Sequence, residues 1–240
     1  MSGTLRLVGV GPGDPELLTL KAVRVIAEAD VVAYPVSNED TTIAFDIARS
    51  RINPSARLET VQIPMTVTAS RVDRIVAVER AYAEAAKRLA AHLEAGRSVV
   101  YLCEGDPLFY GSAISLLAGL RDSHNLEVVP GVTSMTAAAA AARLSLSAKH
   151  EDLTVLAATA AEKYLRERLA LGGSFVVIKI GRHFDRIRAL LEEYGLAEHA
   201  TYVERATAAD QKVASLRDLP AGDKPYFSLI LCYSGAEYWR

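Results

Sequence analysis

Two carboxylates, Glu104 and Asp106, stand directly behind the apolar run Val99 to Cys103, separated by Gly105 and followed by Pro107. Side chains of this kind accept hydrogen bonds from a ribose hydroxyl or an amino group. The run before them is short and opens on two valines, as a strand covered on both faces does. Gly105 permits unusual backbone angles and Pro107 removes an amide donor, so the strand stops there. Turns at the carboxyl ends of parallel strands are where α/β sheets bind ligands. The same residues also read as an ordinary strand-to-helix turn, with Asp106 as its cap and a helix from about Ser112.

A second glycine-rich turn, Gly9-Val-Gly-Pro-Gly-Asp14, follows the strand Leu5 to Val8. Pro15 suits the first position of a helix running to Glu28, and Asp14 suits its cap. The dinucleotide fingerprint fails here, because the last glycine of G-x-G-x-x-G falls on Asp14 and the strand Val31 to Tyr34 runs into Pro35 rather than an acidic residue. The lysine of a phosphate-binding P-loop is missing as well. A third turn, Pro130-Gly-Val-Thr-Ser134, lies between the strand Leu126 to Val129 and a helix over Thr136 to Ala142. Ser134 reads as the cap of that helix, and Thr133 and Ser134 read equally as caps or as ligand contacts.

Other chemistries find no support. The five histidines, at 92, 124, 150, 183 and 199, lack metal-ligand spacing, and Cys103 and Cys232 both lie in apolar runs, so no metal site is expected. His183 reads as a solvated loop histidine or as one facing a cleft. No G-x-S-x-G elbow occurs. A formal net charge of −2 with dispersed Lys and Arg argues against a nucleic-acid surface. The absence of a long apolar segment argues against a membrane span. A cytoplasmic protein with reduced cysteines is expected.

The elements that must position these turns alternate strand and helix. In the first half they are a short helix over Thr41 to Ser50 capped by Asp40, a strand Arg57 to Ile63, and a long amphipathic helix Ser70 to Ala95 closed by Gly96. In the second half they are strand Leu153 to Ala157, helix Ala161 to Ala170, strand Phe175 to Ile180, helix Phe184 to Tyr194, and strands near Thr201, Lys212 to Leu216 and Tyr226 to Tyr233. An interdomain boundary is expected between about 122 and 151, which assigns 1–125 to an N-terminal and 126–240 to a C-terminal domain, each an α/β unit with a mixed sheet of about five strands.

The spelling of the turns carries more than their chemistry. Glu104-Gly-Asp-Pro-Leu-Phe-Tyr-Gly111, Gly9-Val-Gly-Pro-Gly-Asp-Pro-Glu-Leu-Leu-Thr19 and Gly131-Val-Thr-Ser134 resemble the motifs of the tetrapyrrole (corrin/porphyrin) methyltransferases. Val177-Ile-Lys-Ile-Gly-Arg182, Tyr202-Val-Glu-Arg-Ala-Thr207 and Pro225-Tyr-Phe-Ser-Leu-Ile230 resemble motifs of that family's second domain, so the likeness covers nearly the whole chain. Ala206 departs from the glycine that relatives often have.

The resemblance implies a class III methyltransferase-like fold of two α/β domains with a cofactor cleft between them, the N-terminal domain carrying the substrate cleft and the C-terminal one completing the cofactor site. It implies S-adenosylmethionine as cofactor, with S-adenosylhomocysteine as product, a small-molecule tetrapyrrole as substrate, and a homodimer. Carried over by motif, the cofactor contacts are Pro12, Glu104, Gly105, Asp106, Tyr110, Thr133 and Ser134, with the backbone at Ile180 and Ala206 flanking the adenine and Leu229 close by. Asp14 and Tyr110 are candidates by position for a catalytic base, against the simpler roles of helix cap and core aromatic. Within the family the likeness is to members that methylate precorrin-2, or cobalt-precorrin-2, at C-20. The double glycine usual before the Asp in uroporphyrinogen-III methyltransferases is Glu104-Gly105 here. Other tetrapyrrole carbons, and a non-catalytic nucleotide-binding module, stand as alternatives.

Overall fold

A computed structural model describes residues 3–36, 42–64, 71–111 and 113–233. The chain divides into two compact units, Met1–Thr133 and Ser134–Arg240.

Among the described residues the first unit holds five strands: β1 (Thr4–Gly9), β2 (Val31–Val36), β3 (Arg57–Gln62), β4 (Val99–Cys103) and β5 (Asn125–Val129). They order as β3-β2-β4-β1-β5, and every pairing is parallel. This sheet is therefore not the mixed one expected. β5 pairs with β1 along its whole length, so the residues just after 125 belong to the first unit rather than the second. The boundary after Thr133 lies inside the interval expected from the change in pattern.

Among the described residues four α-helices cover this sheet: α1 (Leu20–Ala27), α2 (Ile43–Ala48), α3 (Arg71–Glu94) and α4 (Ile114–Leu120). The connection from β1 leaves toward β2 and that from β4 leaves the opposite way toward β5. Right-handed crossovers then place α1 and α4 on opposite faces. The core divides accordingly. Val8, Val32, Val100 and Leu102 pack with Val25 and Ile26 of α1 and Ile47 of α2. Leu5, Leu7, Val99 and Tyr101 pack with Tyr82, Leu89 and Leu93 of α3 and Leu116 of α4. Successive residues of one strand serve opposite faces, as the period of two requires.

Local chemistry adjusts the expected boundaries. The helix expected over Pro15 to Glu28 is two pieces, a 3-10 turn at Pro15–Leu17 capped by Asp14, then α1 capped by Thr19, whose hydroxyl accepts from the Ala22 N–H at 3.1 Å. β2 runs through Pro35 because its pairing with β4 ends at Ala33, so the missing donor interrupts no ladder on that side. The starts expected at Asp40, Thr41, Ser70 and Ser112 lie outside the described residues. Among the described residues no helix is long and apolar enough to cross a membrane.

The second unit opens with α5 (Ser134–Ala142), which starts two residues before the expected Thr136 and takes Ser134 into its first turn. Its sheet comprises β6 (Leu153–Ala157), β7 (Ser174–Ile178), β8 (Ala200–Glu204), β9 (Lys212–Ser215) and β10 (Ser228–Cys232), ordered β6-β7-β10-β8-β9. β6 and β7 are parallel and the other pairings antiparallel, so this sheet is mixed. One face packs Phe175, Val177, Tyr202 and Ile230 against α6 (Glu162–Leu169) and α7 (Phe184–Glu193), which contributes Phe184, Ile187 and Leu191. α5 packs on β8 and β10, its buried Ala137 to Ala139 letting backbone approach backbone.

Candidate functional site

Three turns that are distant in sequence leave neighbouring strands of the first sheet. β1 lies between β4 and β5, with Gly9 beside Cys103 and Val8 beside Val129, so the carboxyl ends are level. The connections of β4 and β1 depart in opposite directions. Such a switch point is where open α/β sheets hold ligands.

The turns are knitted together by backbone. Val10 N–H donates to the Cys103 carbonyl at 2.9 Å, and Gly105 N–H to the Gly11 carbonyl at 2.9 Å. Gly105 has φ +64°, a conformation that glycine adopts without strain. The contact is too close for side chains. A Cβ on Gly131 would lie 2.2 Å from the Gly105 carbonyl oxygen, and one on Gly9 would lie 2.6 Å from the same atom. Both obstacles are main chain and cannot swing aside.

Asp106 closes the arrangement. One carboxylate oxygen accepts from Leu108 N–H at 2.9 Å and the other from Gly131 N–H at 3.0 Å. The turn-capping reading of this residue is thus realised, and the cap joins the β4 turn to the β5 turn. Glu104 points elsewhere: its carboxyl accepts from the backbone of Ala44, in the first turn of α2, and burial pushes its pKa up. Thr42 makes no capping bond to α2 and donates instead to Asp46 at 3.1 Å, so Glu104 fills that office from another element. Sequence reading missed this role. The glutamate before Gly105 was a signal of it, since an acid at a strand end needs a donor.

Asp14 accepts from Glu16 N–H at 2.8 Å, as a cap should. Pro12, beside it, is half-buried. Tyr110 is no core aromatic. It is 47% exposed, sits at φ +54°, and meets Phe109 edge-to-face with centroids 5.1 Å apart. Its neighbour Gly111 is obligatory, because a Cβ there would lie 2.6 Å from the Pro107 carbonyl oxygen.

In the second unit, β10 lies between β7 and β8 and runs against both, so its start meets their carboxyl ends. Leu229 pairs there with Ile178 and with Val203. Ile180, Ala206 and Leu229 all have buried side chains. Ile180 and Ala206 each follow a residue in the left-handed region, Lys179 at φ +58° and Arg205 at φ +46°, and Thr207 is left-handed too, at φ +68°. Non-glycine residues pay for this conformation and concentrate where the backbone has a task. Lys179 is half-buried, and burial lowers its pKa. The propensity of these residue types held no hint of the left-handed turns.

An open parallel sheet with backbone-lined turns at its switch point, followed by a mixed α/β unit, defines a two-unit α/β protein whose first turn lacks the glycine spacing of a dinucleotide-binding fold. The particular family follows from comparison: residues 4–220 match the model of the Tetrapyrrole (Corrin/Porphyrin) Methylases, and the chain belongs to that family. It is 44% identical to a Mycobacterium tuberculosis protein named cobalamin biosynthesis protein CobIJ, over 97% of this chain but only 46% of that protein, so it spans about half of that relative. It is 38% identical to a precorrin-2 C(20)-methyltransferase from Sinorhizobium sp, over 95% of this chain and 94% of the relative. Among solved structures, uroporphyrin-III C-methyltransferase from Thermus thermophilus, in complex with S-adenosyl homocysteine, superposes with a TM-score of 0.66 at 28% identity, over 96% of this chain and 97% of that one.

Proposed function

We propose that this protein methylates C-20 of precorrin-2, or of its cobalt complex, giving precorrin-3A or its cobalt counterpart in cobalamin biosynthesis. The observation that carries this reading is the near end-to-end likeness to the Sinorhizobium precorrin-2 C(20)-methyltransferase. The cofactor is S-adenosylmethionine, the methyl donor of the family to which the chain belongs.

The residues at the first unit's switch point fit such a cofactor. Across 10–14, 104–111 and 130–134 there is no Lys or Arg, while Asp14 and Asp106 place carboxylates among the backbone groups of the turns. That lining suits a ligand carrying a sulfonium and an ammonium. When bound, the cofactor supplies a methyl group already activated by its positive sulfur, with a neutral thioether as leaving group. What remains for the protein is to hold donor and carbon nucleophile in line and keep water out. We assign that holding to the backbone at Pro12 and Gly105, to Asp106 and Tyr110, and to Thr133 and Ser134. Ile180, Ala206 and Leu229 are assigned to the adenine. Glu104, whose carboxyl is turned to α2, acts by holding that helix rather than by touching the cofactor, and Asp14, already a cap, is not given the role of base.

The test is incubation with carbon-13 methyl-labelled S-adenosylmethionine and precorrin-2, metal-free and cobalt-loaded in parallel, followed by NMR of the product. Label at C-20 is the expected result, and the arm that turns over identifies the substrate form. Label on another ring carbon would reassign the site of methylation. Tight binding of S-adenosylhomocysteine without turnover on either form would favour a binding module instead. The homodimer is tested by mass from light scattering, where a monomer would reject it.

A further inference from the structure

Among the described residues, the buried polar side chains are those of His92, Ser174, Glu204 and Ser228. Two of the four form one rung: Glu204, the last residue of β8, pairs in register with Ser228, the first residue of β10. Glu204 is 6% exposed. Burying a carboxylate is costly unless hydrogen bonds replace its water. Here Tyr202, two residues earlier on the same face of β8, donates its hydroxyl proton to Glu204 at 2.9 Å. Burial, and then the Glu204 carboxylate, push the Tyr202 pKa up, so the hydroxyl keeps its proton and remains a donor. The Lys212 ammonium, from the paired residue on β9, stands 3.6 Å from the other oxygen.

This rung sits immediately before the left-handed turn Arg205-Ala206-Thr207. The turn is braced at several points. Arg205 N–H donates to the Phe227 carbonyl at 2.8 Å, Ala208 N–H to the Arg205 carbonyl at 2.9 Å, and Thr207 N–H to the Gln211 side-chain oxygen at 2.6 Å. The Arg205 guanidinium pairs with Asp210. On the partner strand, the Ser228 hydroxyl donates to the Pro225 carbonyl at 2.6 Å, tying down the segment that precedes Leu229. An apolar residue at 204 would complete the core more cheaply. A buried acid at this point is explained if it fixes the direction in which the backbone leaves β8.

We infer that Glu204, held by Tyr202, is a positioning residue that anchors the Arg205-Ala206-Thr207 backbone for the cofactor. The inference rests on the methyltransferase reading above, because it takes Ala206 as a cofactor contact. In this role Glu204 acts through the backbone that follows it rather than by contact with cofactor or substrate.

The test compares the full-length protein with Glu204→Ala, Glu204→Gln and Tyr202→Phe, by calorimetric titration with S-adenosylhomocysteine and by steady-state kinetics, with circular dichroism to establish folding. Glu204→Ala and Tyr202→Phe should weaken binding roughly five- to tenfold, the equivalent of one buried hydrogen bond. The cofactor KM should rise in step while kcat at saturation stays within about twofold, since the loss is in binding and not in the transition state alone. Glu204→Gln keeps an acceptor for the Tyr202 hydroxyl and should restore most of the affinity. Folded Glu204→Ala or Tyr202→Phe with wild-type affinity overturns the inference, as does a fall in kcat at unchanged KM. A Gln variant as weak as the Ala variant also counts against it. If Glu204→Ala does not fold, Tyr202→Phe, which deletes a single hydroxyl, decides the matter. Wild-type protein that binds no S-adenosylhomocysteine would withdraw the functional reading itself, an outcome distinct from wild-type binding that the variants leave untouched.

Discussion

The carboxylate of Asp106 accepts a hydrogen bond from the backbone N–H of Gly131, 25 residues further along the chain, and so joins the turn after β4 to the turn after β5. Its other oxygen is taken by Leu108 N–H. An asparagine has only one carbonyl oxygen, and its NH2 would face one of these two N–H groups. Asp106→Asn should therefore lose about 1.5–3 kcal/mol of stability, the worth of a hydrogen bond to a charged group. Cofactor affinity should fall with it, because the Gly131-Val-Thr-Ser134 turn is no longer held. Thermal denaturation and calorimetric titration with S-adenosylhomocysteine check both. An unchanged melting temperature would show that the bridge contributes nothing.

Glycine substitutions should divide by sign. Gly131→Ala places a methyl group 2.2 Å from the Gly105 carbonyl oxygen and should cost more than about 3 kcal/mol, among the larger single-residue effects. Gly119, inside α4, is the contrast: its Cβ would meet only the Ala86 methyl at 3.6 Å, an ordinary contact. Gly119→Ala should stabilise by about 0.5–1 kcal/mol through reduced freedom of the unfolded chain. Denaturant titration separates the two, and equal effects would mean that the turn packing is looser than the distances state.

Glu104 gives a stability effect whose sign depends on pH. Burial raises its carboxyl above the ordinary range, so folding favours the protonated form. The stability this group contributes is fully present below its unfolded pKa, about 4.3, and is lost as pH rises through the higher folded value. Glu104→Gln keeps an oxygen for the Ala44 N–H and removes the ionisation. The variant should therefore melt higher than wild type at pH 7, with the gap closing as pH falls toward about 4. A gap that does not change with pH would refute the assignment to ionisation.

Glu59, on β3, has the opposite sign. Burial raises its pKa, but hydrogen bonds from His92 and Arg57 outweigh that and leave it below the usual range. His92 is 3.3 Å from Glu59 through Nε2, while its Nδ1 faces the Arg97 guanidinium at 2.7 Å. Arginine can only donate, so Nδ1 accepts from Arg97 and Nε2 is left to donate to Glu59. Stability from Glu59 is present above its unfolded pKa and lost as pH falls through the depressed folded one. Glu59→Gln should lower the melting temperature at pH 7 and converge with wild type at acid pH, as scanning calorimetry would read. Curves that stay parallel from neutral to acid pH would exclude the mechanism.

The residues alone determined the alternation of strand and helix, the cap at Asp14, and the three glycine-rich turns whose spelling points to the family. Those features are local: periodicity, capping chemistry and the need for a bare backbone act over a few neighbouring residues. Tertiary structure decided what strand pairing between distant segments decides. Leu5 lies beside Val99 on one side and Leu126 on the other, which makes the first sheet wholly parallel and draws β5 into the first unit. Apolar periodicity is the same for any strand order and could not choose among them. Only after that order is set does Asp106 reach Gly131, Glu104 turn to Ala44, and Glu204 stand opposite Ser228. A carboxylate's partner is whatever donor the fold brings within about 3 Å, and that distance is not written in the spacing of the residues.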